Sequence, residues 1–185
     1  NTSAGNYQNG ISQLEEACEL IKKLKGEKSK EYLNALNNLG LSYFYNSDYE
    51  KAEYGAFHSV DISKQLHGSQ HIEYAVALSN LATIQLSGMK KYDEAEKNLN
   101  ECKEIFEHLK KEESEEYAST LNNLANIYQD RGDYSKAEIF YKSSIRMYKK
   151  AGLENSLNYT YSIQNLGDLY SEMGRYTDAK IIIEK

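Results

Sequence analysis

The chain of 185 residues contains no proline and no tryptophan, and it has only two cysteines and three methionines. Because proline is the strongest helix breaker, its absence leaves glycine, serine, asparagine and aspartate to end helices. We therefore expect an all-α fold. No run approaches the roughly 18 consecutive apolar residues that a membrane helix needs, so the sequence predicts no membrane partner.

Several classes of chemistry lack the residues they need. Cys18 and Cys102 have neither metal-type nor CxxC spacing, and no signal-peptide pattern opens the sequence, so we expect a reducing compartment, the cytoplasm. A net charge of -6 argues against a nucleic-acid partner. The four histidines have no ligand partners at metal-site spacing, and no phosphate-binding glycine loop or Ser-His-acid set is present. We predict no cofactor, no metal and no enzymatic activity.

The sequence instead shows an internal repeat. The stretch LNNLANIYQDRGDYSKAE, which begins at Leu121, has three looser copies, and in each an asparagine precedes a leucine. Those leucines, Leu39, Leu81, Leu124 and Leu166, follow one another at intervals of 42, 43 and 42 residues. So regular a period indicates an array of stacked units rather than separate domains.

Each repeat contains two predicted helices. In the third repeat, Leu121, Leu124 and Tyr128 recur at the spacing of one buried helical face, and Ala137 and Tyr141 belong to the matching stripe of a second helix. The turn QDRGD between them offers a glycine that permits the bend and an aspartate that can cap the second helix. Serines ten residues before three of the repeat leucines mark the starts of first helices.

The repeat register predicts a single array over residues 1–185. It consists of the second helix of a truncated repeat, three full repeats and a final truncated repeat, over 1–26, 29–68, 71–110, 114–151 and 156–185. Neither end shows a polar capping helix, so we expect further repeats in the full-length chain.

The pattern L-x-N-L-[AG]-x-x-[YQ], a short turn and then Y-x-x-A-[EK] resembles a tetratricopeptide repeat (TPR). The long period, together with the junction LHGSQHIEYA over 66–75, resembles the repeats of kinesin light chains. The resemblance implies a right-handed superhelical solenoid of stacked antiparallel helix hairpins. It also implies that the first helix of each hairpin lines a concave groove.

The recurring asparagines are Asn38, Asn80, Asn123 and Asn165. At about 100° per residue, each lies roughly 150° from the centre of its helix's buried face and therefore points away from the partner helix. An amide offers both a donor and an acceptor, so four of them along the groove could bind the backbone of an extended peptide. The alternative is that they bond only neighbouring repeats or water and hold the stack in register.

Other positions on the same outward stripe refine the expected site. Those we assign to peptide binding besides the four recurring asparagines are Asn37, Phe44, Thr83, Leu86, Asn122, Asn126 and Asp168. The stripe grades from apolar near Phe44 and Leu86 to acidic near Asp168 and Glu172. We therefore expect an apolar anchor at one end of the partner peptide and a basic or neutral segment at the other.

The sequence thus predicts a scaffold that binds an extended peptide segment of a partner protein in its groove, adaptor-like as the resemblance to kinesin light chains implies. Two alternatives stay open. One is a peptide-sensing regulator with an attached output domain. The other is the targeting arm of an enzyme whose catalytic domain lies outside this sequence.

Overall fold

The computed structural model describes residues 2–184, with side chains from residue 10 onward. The described residues form helices joined by connections of two to six residues, and they contain no strand. The helices are α1 (Thr2–Lys25), α2 (Lys30–Tyr45), α3 (Tyr49–His67), α4 (Ile72–Met89), α5 (Tyr92–His108), α6 (Glu115–Asp130), α7 (Tyr134–Lys150), α8 (Leu157–Glu172) and α9 (Tyr176–Ile183). The all-α prediction is confirmed.

Helix starts follow the predicted caps. The hydroxyls of Ser29, Ser114 and Ser156 each accept the backbone N–H three residues further on, over 3.1, 3.3 and 3.1 Å. Asp133 likewise accepts the N–H of Lys136 over 3.2 Å and begins α7. Each bond satisfies a backbone donor that the first turn of a helix would otherwise leave unpaired.

The turn between α6 and α7 depends on Gly132, whose φ of +77° lies in the left-handed region that favours glycine. This conformation lets the N–H of Gly132 reach the carbonyl of Gln129 and the N–H of Asp133 reach the carbonyl of Tyr128, both over 2.8 Å. The last carbonyls of α6 are thereby satisfied, and the chain reverses within three residues.

The chain divides into two compact units, residues 1–98 and residues 99–185, which we call unit 1 and unit 2. In unit 1, α1 packs on α2, α2 on α3 and α3 on α4. Ala52 is fully buried and belongs to the same core as leucines of α2. The small side chain of Ala52 allows α2 and α3 to pack closely.

In unit 2, α6 packs on α7, α7 on α8 and α8 on α9. Ala125 and Ala137 are fully buried, and Tyr141 lies beside them in the core at 1% exposure. Ala137 and Tyr141 are the positions that the stripe of the second helix in the third repeat predicted. The prediction of one array over 1–185 stays a prediction, and its two end positions lie outside the described residues.

A polar cluster around Glu138 joins α7 to α8 and to the connection that follows α8. Glu138 accepts hydrogen bonds from Lys142, Tyr170 and Arg175 over 2.6, 3.0 and 2.7 Å. Burial alone would raise the pKa of Glu138, but these three donors outweigh it and hold the pKa below its ordinary value. The ionised carboxylate therefore contributes to the stability of unit 2.

Within the described residues, every helix is too short or too polar to cross a membrane.

Candidate peptide-binding groove

Four of the predicted site residues meet in one cavity of unit 1. Asn37 and Phe44 on α2 and Asn80 and Thr83 on α4 line a cavity of about 150 Å³. The remaining lining residues are Leu36, Gly40, Leu41, Tyr45, Ala56 and Ile84. We call this space the apolar cavity, because apolar side-chain surface makes up most of its wall.

The apolar cavity opens to solvent beside an aromatic cluster. The ring of Phe44 meets the rings of Tyr45 and Tyr49 edge to face, each with centroids 5.7 Å apart. Tyr45 is 75% exposed, and Leu41 is 49% exposed. Exposed apolar side chains around a concave wall are typical of a binding surface.

The backbone of α4 helps to set the position of Phe44. Tyr49 lies directly against Gly88, where a Cβ would overlap the tyrosine ring. Because glycine leaves that space open, the ring of Tyr49 can lie between α4 and Phe44. The aromatic wall of the cavity thus depends on a residue that does not line it.

A second cavity of about 290 Å³ adjoins the first. Asn37 and Asn80 line both cavities, whereas Lys30, His67 and Glu73 line only the second. We call the second space the polar cavity and the two together the α2–α4 groove. Its two amides therefore lie between an apolar wall and a charged one.

The amides of Asn37 and Asn80 have no hydrogen-bond partner among the described residues. Asn80 is exposed and Asn37 is half-buried, so both are open to solvent. Their donors and acceptors are consequently available to a ligand. This is the state that peptide binding requires of them.

The corresponding amides of unit 2 are in a different state. Asn165 on α8 donates to Asn122 Oδ1 and Asn126 Oδ1 on α6, over 3.2 and 3.4 Å. Positions 122, 126 and 165 follow 37, 41 and 80 by 85 residues each, so they are the same places in the repeat. Leu41 stands where unit 2 has Asn126, so Asn80 has no second amide to meet. At Asn165 the amide joins neighbouring repeats, as the structural alternative expects.

The face of unit 2 around these amides is acidic. Tyr141 lies 2.6 Å from Asn126 Oδ1 and 2.7 Å from Gln129 Oε1, and Gln129 donates to Glu172 over 2.9 Å. Burial raises the pKa of Tyr141, and the carboxylates of Asp130, Glu172 and Asp168 raise it further. These carboxylates give this face of unit 2 a negative potential.

Three predicted residues lie elsewhere. Asn38 is exposed on α2, and Leu86 on α4 and Asn123 on α6 are half-buried; none of the three lines the cavities of the α2–α4 groove. On α2 the groove is lined at positions 37, 41 and 44, and Asn38 lies beside that stripe rather than on it. Their part in binding stays a prediction.

The prediction missed Lys30 and part of the cavity floor. Lys30 continues the stripe that runs through Asn34, Asn37, Leu41 and Phe44, so one more helical turn would have found it. Floor residues such as Ala56 belong to the second helix of the hairpin. Their contribution depends on how α3 packs behind α2, which no spacing along one helix reveals.

Profiles of the tetratricopeptide repeat family match the chain over residues 58–108, 85–150 and 116–185, and another profile with the same description matches residues 33–73. These matches cover more than half of the sequence. The chain belongs to the tetratricopeptide repeat family. No curated protein sequence matches it.

Solved structures share its fold. BtubC (BKLC) from P. vanneervenii superposes with a TM-score of 0.81 at 22% identity, over 99% of this chain and 72% of that one. A Podosopora anserina protein assigned to the kinesin light chains, with nearly identical TPR-like repeats, superposes with a TM-score of 0.78 at 18% identity. The match covers 97% of this chain and 84% of that one. A Rap protein in complex with competence and sporulation factor superposes with a TM-score of 0.76 at 16% identity, over 98% of this chain and 48% of that one.

These likenesses confirm an all-α, TPR-like helical solenoid that resembles the TPR domains of kinesin light chains. A tetratricopeptide repeat is typically a non-catalytic interaction scaffold. Family membership and fold together support a protein–protein interaction scaffold with a protein or peptide partner.

Proposed function

We propose that this chain binds an extended segment of a partner protein in the α2–α4 groove. An apolar side chain of the partner enters the apolar cavity beside Phe44, and the amides of Asn37 and Asn80 bond the partner's backbone. The observation that carries the proposal is that the amides of Asn37 and Asn80, at the border of an apolar cavity, have no partner within the described part of the chain.

The chemistry of the groove suits this ligand. A cavity near 150 Å³ can hold a group about the size of benzene, which corresponds to a leucine or phenylalanine side chain. An extended backbone presents C=O and N–H groups without a helix or strand partner, and an asparagine amide complements both. Affinity would then come from the backbone contacts and selectivity from the anchor.

On unit 2, considered by itself, we assign the amides a structural part and the carboxylates a ligand-selecting part. Asn165 is already bonded to Asn122 and Asn126. Asp168 and Glu172 remain exposed and favour a basic or neutral segment. Binding on this face is therefore proposed to rest on charge, whereas binding in unit 1 rests on the anchor and the amides.

The experiment is a peptide-array screen of the wild-type chain, followed by affinity measurements on the peptides that bind. The double variant Asn37→Ala, Asn80→Ala loses two amide contacts, each of which contributes about 0.5–1.5 kcal/mol. We expect binding to weaken by about 5- to 150-fold, with unchanged far-UV circular dichroism.

The matched control is Asn165→Ala, which removes an amide of the same repeat position that is already bonded within unit 2. It should keep the affinity of anchor-containing peptides. A folded double variant with full affinity would refute amide recognition, and an array on which the wild type binds nothing would refute the peptide-binding function.

For the biological setting we propose an adaptor, in line with the kinesin light chain resemblance. The fold shared with a Rap protein bound to competence and sporulation factor favours a second candidate, a peptide-responsive regulator. Sequence on either side of this chain distinguishes them, since a regulator needs an attached output domain. A heptad coiled coil there would favour the adaptor.

A further inference from the structure

Unit 2 contains a larger groove that the proposed function does not use. It has a volume of about 740 Å³ and is bounded by the end of α5, the connection from α5 to α6, and α7, with α6 as its floor. We call it the α5–α7 groove. Its volume falls in the range of known ligand sites.

The floor of this groove is apolar. Tyr117, Leu121 and Met147 are buried beneath it, Phe140 is half-buried, and Ile139 at its edge is 64% exposed. Exposure of a large aliphatic side chain beside a concave apolar floor leaves surface that a partner can cover. The groove can therefore take an apolar side chain.

The rim of the groove is positively charged. Its lining contains five lysine or arginine residues and three glutamates, a net charge of +2 in a chain whose net charge is -6. The pair Lys103–Glu107 has an N–O distance of 3.0 Å, and Lys150 pairs with Glu113 over 3.2 Å.

Three cations of the rim remain for a ligand. Among the described residues, no carboxylate forms an ion pair with Lys110, Lys111 or Arg146, and all three are exposed. They lie along the same groove as the apolar floor. Charge and shape thus select one kind of occupant.

The positive charge is not a general feature of the repeat. In unit 1, the corresponding groove lies between α1 and α3 over α2 and has a volume of about 350 Å³. Its charged residues are Glu15, Glu19 and Lys51, so it carries a net negative charge. The cations of the α5–α7 groove belong to this position in the chain rather than to the fold.

We propose that the α5–α7 groove is a second interaction surface that binds an acidic segment of a partner protein. An apolar side chain of that segment packs on Ile139 and Phe140, and flanking carboxylates pair with Lys110, Lys111 and Arg146. The guanidinium of Arg146 can hold a carboxylate through two parallel hydrogen bonds. This inference rests on unit 2 alone and does not depend on the α2–α4 groove.

The test selects a random dodecapeptide phage library on the intact chain and measures synthetic copies of the enriched peptides by fluorescence anisotropy. We expect peptides with Asp or Glu on both sides of an apolar residue, bound more weakly at physiological than at low salt. The variant Lys110→Glu, Lys111→Glu, Arg146→Glu should weaken them by about 3- to 150-fold, from the loss of three exposed ion pairs.

Two variants keep the test specific. The triple reversal Lys23→Glu, Lys25→Glu, Lys28→Glu changes net charge equally at exposed sites of unit 1 outside the groove, and Phe44→Ala alters the α2–α4 groove. Both should retain binding of the acidic peptides. Circular dichroism establishes that each variant is folded.

Three outcomes overturn the proposal. One is a selection that enriches no acidic peptide, and another is equal binding by the groove reversal and the wild type. The third is a concentration-dependent dimer in sedimentation velocity that the groove reversal abolishes, since the groove would then be occupied by a second copy of this chain.

Discussion

Replacement of Gly88 by alanine tests how the fold supports the α2–α4 groove. The new methyl group would overlap the ring of Tyr49, whose edge-to-face contact holds Phe44 at the apolar cavity. Gly55 on α3 is the matched control, because a Cβ there would meet its nearest atoms at an ordinary 3.8 Å.

The magnitudes follow from two opposing effects. Forcing an extra carbon into a packed contact lowers the free energy of unfolding by about 1–3 kcal/mol. Replacing a helical glycine by alanine raises it by up to about 1 kcal/mol. This stabilisation is smaller at Gly88, because Gly88 is the penultimate residue of α4. We expect Gly88→Ala to lower the free energy of unfolding by about 1–2 kcal/mol and Gly55→Ala to raise it by up to about 1 kcal/mol.

Thermal and urea unfolding followed by circular dichroism measure both effects. For a chain of this length, 1 kcal/mol corresponds to a Tm change of about 2–4 °C, so the two variants should move apart. Gly88→Ala should also weaken the binding of peptides whose apolar anchor enters the cavity beside Phe44. If Gly88→Ala unfolds at the wild-type temperature or above it, the assigned contact between Tyr49 and α4 is wrong.

Three further predictions concern unit 2. Ser144→Ala should cost about 1 kcal/mol in urea unfolding, because the buried hydroxyl donates to the Ala118 carbonyl over 2.7 Å; equal stability would contradict that bond, and Ser143→Ala is its control. Glu138→Gln should destabilise at neutral pH. Because the folded pKa of Glu138 lies below 4.5, the difference in Tm from wild type should fade as the pH falls below that value, and a constant difference would refute the assigned pKa direction. Burial raises the pKa of Cys102 to about 11, so iodoacetamide at about pH 8 should modify it only after denaturation, and rapid native labelling followed by mass spectrometry would contradict its burial.

The helices and their limits were predictable from the sequence because local chemistry decides them. Ser29 and Ser114 occur before first helices and accept the N–H groups that the predicted caps require. Gly132 has the positive φ that its turn needs. The chain has no proline, so the strongest helix breaker does not interrupt these helices.

The state of the amides was not predictable from position within one helix. Asn80 and Asn165 occupy the same place in the repeat, yet of these two only Asn165 has amide partners among the residues that the structure describes. The difference comes from the residue across the groove, Leu41 in unit 1 and Asn126 in unit 2. Which two residues meet across the groove depends on which side of each first helix packs against the next repeat.

The α5–α7 groove lay outside the prediction for a related reason. The recurring asparagines lie on first helices, so the predicted site was confined to those helices. Lys110 and Lys111 come from a connection, and Arg146 comes from the exposed side of a second helix. Only packing in three dimensions places them around one apolar floor.

The central claim is that the amides of Asn37 and Asn80 bind the backbone of a partner peptide. The most direct measurement is a titration of the chain with an array-selected peptide, followed through the side-chain amide NMR signals and assigned with single alanine variants. We predict saturable shifts of both signals, with the signal of Asn165 unchanged because its amide is already bonded within unit 2. Saturation of binding without movement of the Asn37 and Asn80 signals would contradict the account.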